Sequence, residues 1–334
     1  MDRADKAVRR IEGTAALDRL GKPLAAAISR ATRPALIKNT LSGTWLGHRL
    51  HPLLTDIPIG SWVAAAMLDI TGAGGDGRAA RRLVGFGTLA AIPAALAGAS
   101  DWSETYGPEQ RDGLVHALAN LTAVSLQAVS WLARRRGRPA AGAVLSAGGL
   151  GLMTAAAYLG GHLTYIRGTG VNHTAFEDTV SEWTDVGALA DLPAGRPAAA
   201  TAGGVPLVLV RLDGRIHALS ATCVHAGGPL AQGSLAGGSL RCPWHGSVYR
   251  LTDGKPLRGP AATWQPTWEV RVDGDRVQVR SARTLPPAGI CHRTSTASVC
   301  LSPPHPLFGL HHPGDVPPAR TRAARRRPGS TQAP

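Results

Sequence analysis

Four side chains in two short stretches have the types and spacing for metal chemistry. Cys223-Val-His225 is followed, after sixteen residues, by Cys242-Pro-Trp-His245. Two soft thiolates and two imidazoles make a four-ligand metal set. A Cys2His2 zinc site is one reading of it. A zinc finger, however, groups its two Cys and its two His separately, with the His pair on a helix. Here each stretch supplies one Cys and one His. The other two cysteines, Cys291 and Cys300, belong to no metal motif, and no role is expected for them. Four cysteines in 334 residues are also too few for a disulfide scaffold.

Such a set must be held by rigid elements, and the surrounding text supplies strands. Pro206–Leu212, Arg215–Ser220, Ser239–Arg241, Ser247–Leu251, Thr267–Val272 and Arg276–Arg280 read as short strands. Asp213-Gly214, Asp253-Gly254 and Asp273-Gly274 punctuate them as turns. The stretch 182–283 is thus expected to be a small all-β domain. With its loops "CVHAGGPL" and "CPWHGSVYR" it resembles the Rieske [2Fe–2S] family. The resemblance implies that Cys223 and Cys242 bind one iron and that His225 and His245 bind the other. Neutral imidazole then replaces anionic thiolate on the second iron, which makes an added electron easier to accept. Rieske potentials accordingly span about −150 to +300 mV, against about −400 mV for all-cysteine plant-type ferredoxins. The resemblance also implies that both histidine edges face solvent, where they pass electrons and lose protons on oxidation.

The two loops carry marks of a subtype. Cytochrome bc-type members of the family bear an extra pair of cysteines, joined as a disulfide; the equivalent positions here are Gly228 and Trp244. "CPWHG" looks like the ferredoxins and oxygenases instead. Ser247 and Tyr249, however, match the bc-type hydroxyls that bond a bridging sulfide and a cysteine sulfur. Such bonds stabilise the reduced, more negative cluster. A potential above that of a typical Rieske ferredoxin is therefore expected, unless Ser247 and Tyr249 only pack the loop.

The first half of the chain has another character. Charge-free runs at 57–68, 83–100, 113–133 and 139–166 read, with their flanks, as four membrane helices near 52–72, 82–100, 113–133 and 141–166. Crossing a bilayer takes about 20 apolar residues. A soluble bundle would need a polar face that three of these runs lack. The whole chain is expected to be multidomain: an α-helical membrane four-helix bundle followed by an all-β Rieske domain. The divisions are 1–45, a basic amphipathic segment acting as an interfacial helix or polar cap; 46–168, the four-helix domain; 169–181, a linker; 182–283, the cluster domain; and 284–334, a disordered Pro- and Arg-rich tail. In the first of these, Val8, Ile11, Ala15, Leu20 and Leu24 fall at loosely helical spacing.

Loop charge orients the bundle. Arg78, Arg81 and Arg82 flank one connection and Arg134, Arg135, Arg136 and Arg138 another, whereas the opposite loop carries Asp101, Glu104, Glu109 and Asp112 against Arg111. The positive-inside rule puts the basic loops in the cytoplasm and both termini outside. The basic N-terminal segment argues for the reverse.

Antiparallel helices bring the membrane histidines to one face: His48 and His51 before the first helix, His116 early in the third, His162 late in the fourth, with Asp56 and Asp101 nearby. Ionisable groups inside a bundle are costly and point to function. "LSGTWLGHRLHPLLTDIPIG" and the ending "GGHLTYIRGTGVN" resemble domain-of-unknown-function family 2231, a four-helix membrane domain sometimes fused to a Rieske domain. A b-type haem held by His116 and His162, or with His51 as one ligand, is one expectation for this face. A quinone headgroup site or a plain hydrogen-bond network is the other.

The formal charge of +14 sits mostly at the two ends, and no basic stripe is studded with aromatics, so nucleic acid is not an expected partner. A terminal oxygenase needs a mononuclear iron site in a large catalytic domain, for which no residues remain. The expected function is a membrane-anchored electron carrier, an oxidoreductase component rather than a complete enzyme. Its partners would be membrane lipid and a quinone or redox protein. The rival readings are a ferredoxin-like donor to a separate oxygenase chain and a non-enzymatic iron–sulfur redox sensor.

Overall fold

The computed structural model describes residues 3–73 and 77–282 and, beyond them, the short antiparallel strand pair Arg293–Thr294 and Ala297–Ser298. The expected disordered tail, with Cys291 and Cys300, otherwise lies outside the described residues.

Four long helices form the first half: α4 (Leu50–Thr71), α5 (Arg78–Trp102), α6 (Gly107–Arg135) and α7 (Pro139–Gly161), the last continued by a π-helical turn, His162–Ile166. All four are long and apolar enough to cross a membrane. Their sorting of residues is that of a protein in lipid. On α5 the small residues Gly87, Ala91, Ala94 and Ala97 face inward, while Phe86, Leu89, Ile92 and Leu96 face outward. Small residues let the backbones approach closely, which is the main source of helix association where lipid is as apolar as the core. A Cβ on Gly87 would fall 2.7 Å from the Trp62 indole nitrogen. The helices extend past the charge-free runs. α6 starts at Gly107, with a proline in its first turn, and carries Glu109, Arg111 and Asp112 before its apolar stretch.

The two helical hairpins repeat one another. His51, Trp62 and Asp69 stand on α4 at the same intervals as His116, Gln127 and Arg134 on α6. His51 Nδ1 donates to the Ala94 carbonyl and His116 Nδ1 to the Ala156 carbonyl, both at 2.8 Å. Trp62 and Gln127 likewise donate to the Val84 and Ser146 carbonyls. Asp69 and Arg134, equivalent positions, pair with each other at 2.5 Å at the far end of the bundle.

Residues before the bundle fold as three helices, α1 (Arg3–Gly13), α2 (Asp18–Ala31) and α3 (Ala35–Ser42). Ion pairs fasten them at one end of the bundle: Arg111 to Asp18 at 2.7 Å, Lys38 to Glu104 at 2.6 Å, and Arg167 to Glu12. Of the apolar residues at helical spacing, Val8 is buried, but Leu20 and Leu24 are exposed. The packed stripe of α2 is Gly21 and Ala25, which face α6; a Cβ on Gly21 would lie in ordinary contact with Leu114, at 3.6 Å.

The second half is all β. A six-stranded antiparallel sheet runs in the order β1 (Thr184–Ala188), β10 (Arg276–Ser281), β9 (Thr267–Asp273), β4 (Arg215–Ser220), β3 (Val205–Leu212), β2 (Pro197–Ala202). A four-stranded meander follows β5 (Ser234–Ala236), β6 (Ser239–Arg241), β7 (Val248–Arg250), β8 (Pro256–Arg258). Strands β1, β2, β5 and β8 were not expected. β2 is Ala-rich, with little strand propensity of its own, and owes its form to pairing with β3, Ala200 opposite Leu207. The meander and the large sheet share a core of Val208, Val210, Leu219, Leu240 and Tyr249.

The β domain docks on α3. The Asn39 amide donates to the Leu257 carbonyl at 3.2 Å and accepts from Gly259 N–H at 2.8 Å. Thr44 donates to Ala261, and Arg258 donates to the Arg33 carbonyl.

Candidate metal centre

Cys223 and His225 lie in the loop from β4 to β5, Cys242 and His245 in the loop from β6 to β7. Each loop is bound to itself by its backbone. Cys223 N–H donates to Gly228 and Gly227 N–H to Cys223; Cys242 N–H donates to Ser247 and Gly246 N–H to Cys242. Gly227 and Gly246 take φ of 75° and 72°, a left-handed turn that favours glycine. Gln265 braces the first loop, accepting from Val224 N–H and donating to the Ser220 and Thr222 carbonyls.

The four side chains converge. Both thiols are free and buried. The His225 and His245 rings meet edge to face, centroids 4.9 Å apart. Burial holds His225 well below the ordinary histidine range and lowers His245 as well, so both imidazoles are neutral and able to ligate. The hydrogen bond between the sulfurs brings Cys242 down to about 7 and pushes Cys223 up. His245 Nε2 is buried without a hydrogen-bond partner among the described residues. A Cβ on Gly228 would lie 2.9 Å from the Cys242 sulfur and 3.2 Å from the Trp244 ring. Residue 228 thus stays small against the sulfur, and positions 228 and 244, where the bc-type disulfide would sit, do adjoin. Donor chemistry, convergence and the space beside the sulfur all fit a [2Fe–2S] cluster.

Tyr249, fully buried, has its hydroxyl 3.0 Å from the Cys223 sulfur and can donate to it as a thiolate. Ser247 Oγ accepts from Ala261 N–H at 3.0 Å, which leaves its own proton for another acceptor.

Sequence reasoning missed what covers the histidines. The expected solvent-facing edges are instead packed against the bundle. Tyr106, in the α5–α6 connection, stacks on His245 with centroids 5.7 Å apart. His225 is 7% exposed. Beside it opens a cleft of about 250 Å³, lined by His48 and Arg49 from the bundle, Asn172 from the linker, and His225. Arg49 is fixed by Asp101 at 2.5 Å. His48 Nδ1 donates to the Arg49 carbonyl at 2.9 Å. Tyr106 and Arg49 are remote in sequence from the two Cys–His loops, and nothing in the sequence ties them to those loops.

The membrane histidines do not gather as one set: His51 and His116 hold matching places in the two hairpins, and His162 stands apart against Glu12. His116 and His51 are fixed by backbone carbonyls of α7 and α5, and His116 Nε2 faces the Asn120 amide at 3.1 Å. His162 Nε2 is 3.2 Å from Glu12. A haem between His116 and His162 would need both of these nitrogens; each already has a protein partner.

Family models match the chain twice: "Rieske [2Fe-2S] domain" over residues 182–269 and "Predicted membrane protein (DUF2231)" over 47–173. The ferredoxin component of the naphthalene 1,2-dioxygenase system of Pseudomonas aeruginosa is 30% identical over 29% of this chain and 94% of its own length. Apoptosis-inducing factor 3 of Homo sapiens is 31% identical over 34% of this chain, a match that spans only 18% of that protein. A solved structure, the ferredoxin of carbazole 1,9a-dioxygenase from Nocardioides aromaticivorans, is 27% identical over 30% of this chain and all of that one, with a TM-score of 0.30.

Proposed function

Given a chain that belongs to the Rieske [2Fe–2S] family and joins that domain to a DUF2231 membrane domain, we propose that it exchanges single electrons with a quinone at the membrane surface. Cys223, His225, Cys242 and His245 would hold the cluster, with Tyr249 and Ser247 behind it. When bound, the cluster supplies a one-electron couple in the Rieske range.

The observation that carries this reading is the placing of His225 on the bundle-side cleft. Tyr106 and the bundle surface shield the histidine face from bulk water. A cleft of about 250 Å³ beside His225 has the size for a small ring rather than for a protein surface. The Arg49 guanidinium can donate to a quinone carbonyl. In its neutral Nδ1–H form the His48 ring can accept the hydroxyl proton of a quinol at Nε2. Asp101 keeps Arg49 in place.

A second reading, donor to a separate oxygenase chain, is favoured by the likeness to the naphthalene dioxygenase ferredoxin. One experiment separates the two. Detergent-purified protein is mixed with a short-chain quinol as sole reductant, and low-temperature EPR and an optical spectrum are recorded. A reduced Rieske signal, lost in His225→Ala, supports the quinone reading. Reduction by dithionite but not by quinols of any potential below that of the cluster transfers the case to the oxygenase-donor reading. A Soret band would add haem to the bundle. Iron-replete, folded protein without a cluster signal would leave zinc as the occupant.

A further inference from the structure

A second cluster of ligand-type side chains lies away from the Rieske centre. Glu12 of α1, Asp112 of α6 and His162 at the end of α7 bring one ligand atom each within 4.8 Å of the others. His162 Nε2 is 3.2 Å from Glu12 Oε1 and 4.0 Å from Asp112 Oδ2. Asp112 is 0% exposed, and neither of its carboxylate oxygens has a hydrogen-bond partner among the described residues. A buried carboxylate left in this state is expensive. The neighbouring cations do not relieve it. Arg111 is turned away to Asp18 and the Glu12 carbonyl. Arg167 bonds Glu12.

We propose that Glu12, Asp112 and His162 bind one divalent transition-metal ion of the zinc, manganese or ferrous class. Two carboxylates and one imidazole suit borderline divalent ions; the absence of a thiolate disfavours cuprous ion, and the imidazole disfavours calcium and magnesium, which take oxygen ligands. Two carboxylates against Arg167 leave one net negative charge for the ion to offset. Arg167 is then the outer partner that orients Glu12, as ligating carboxylates usually require. Each ligand comes from a different helix, so the ion would fasten α1 to α6 and to the end of α7, where the chain leaves for the β domain.

The test uses full-length holoprotein with its cluster oxidised, a state silent in EPR. Manganous ion is titrated in, and the room-temperature signal of the free aqueous ion is followed against a detergent blank. One equivalent taken up, displaced by zinc, and weakened about tenfold or more in Asp112→Asn and in His162→Gln is the expected result. Each variant must keep the reduced Rieske signal, which reports that it is folded. No uptake above the blank, or uptake unchanged in both folded variants, overturns the proposal.

Discussion

Tyr106 stacks on His245, centroids 5.7 Å apart and planes 24° apart, so a residue of the bundle covers one of the two histidines proposed to hold the cluster. A stacked aromatic pair contributes about 0.5–1.5 kcal/mol beyond its buried area. Tyr106→Ala should raise the fraction of molecules with an open histidine face about two- to tenfold on that figure. The measurement is stopped-flow reoxidation of the reduced cluster by a soluble one-electron oxidant. Faster reoxidation at unchanged potential is expected. An unchanged rate would mean that the seam opens independently of this contact.

Tyr249 is placed to tune the potential. Its hydroxyl, 3.0 Å from the Cys223 sulfur, would as a donor stabilise the state with more negative sulfur. If the difference between redox states is about 1–2 kcal/mol, Tyr249→Phe lowers the potential by about 40–90 mV. A redox titration followed by EPR reads this directly. Ser247→Ala should act in the same direction. A shift near zero in both variants would assign these hydroxyls to loop packing.

The Lys38–Glu104 pair is buried at the seam, Lys38 2% exposed and bonded to Glu104 at 2.6 Å. Glu104→Gln strands an ammonium away from water, at a cost of about 3–5 kcal/mol. The double variant Lys38→Met with Glu104→Leu removes both charges and should recover most of that loss. Thermal unfolding of the three proteins in one detergent checks it; equal losses in the single and double variants would contradict it.

Acid should loosen the cluster domain. Burial lowers both His225 and His245. In the unfolded chain each takes up a proton near pH 6.5, while in the folded domain it stays neutral to lower pH. Below about pH 6.5 the unfolded state therefore binds more protons, and stability falls by at most about 1.4 kcal/mol per pH unit for each imidazole. Above that pH these groups contribute a constant term. Denaturant midpoints and cluster absorbance between pH 5 and 8 should show a plateau and then a decline towards acid. A profile flat down to pH 5 would contradict the assignment of two buried neutral imidazoles.

The features legible in the sequence were those written locally. Cys223, His225, Cys242 and His245 stand out as candidate ligands because ligand chemistry fixes residue type and two loops fix spacing. The membrane helices announce themselves by charge-free runs, though not their polar first turns: Glu109, Arg111 and Asp112 look like loop until α1 and α2 supply their neighbours. Strand β2 has no pattern of its own, because its conformation comes from β3. Tyr106 over His245 and Asn39 beneath Leu257 and Gly259 join segments far apart in the chain, and single residues carry no trace of such docking.

The charges at the two ends of the bundle give an expected side of the membrane for the cluster. The β domain, the N-terminal helices and the α5–α6 connection share one end. The basic connections lie at the other, where Asp69 and Arg134 pair. The basic N-terminal segment, which argued for the opposite orientation, spends part of its charge within the protein, Lys38 on Glu104 and Lys22 on Asp18. The α6–α7 turn keeps Arg135, Arg136 and Arg138 near its apolar flanks. The positive-inside rule, which counts short loops close to the spans, therefore favours cytoplasmic basic turns and a cluster domain on the outer face. A periplasm-only reporter joined after the last residue should be active, and a cytoplasm-only reporter at the same point dark. The reverse pattern would place the cluster inside. Arg135, Arg136 and Arg138 changed together to Asn would then leave that inside orientation intact, whereas in the outer arrangement the same change should mix the two topologies.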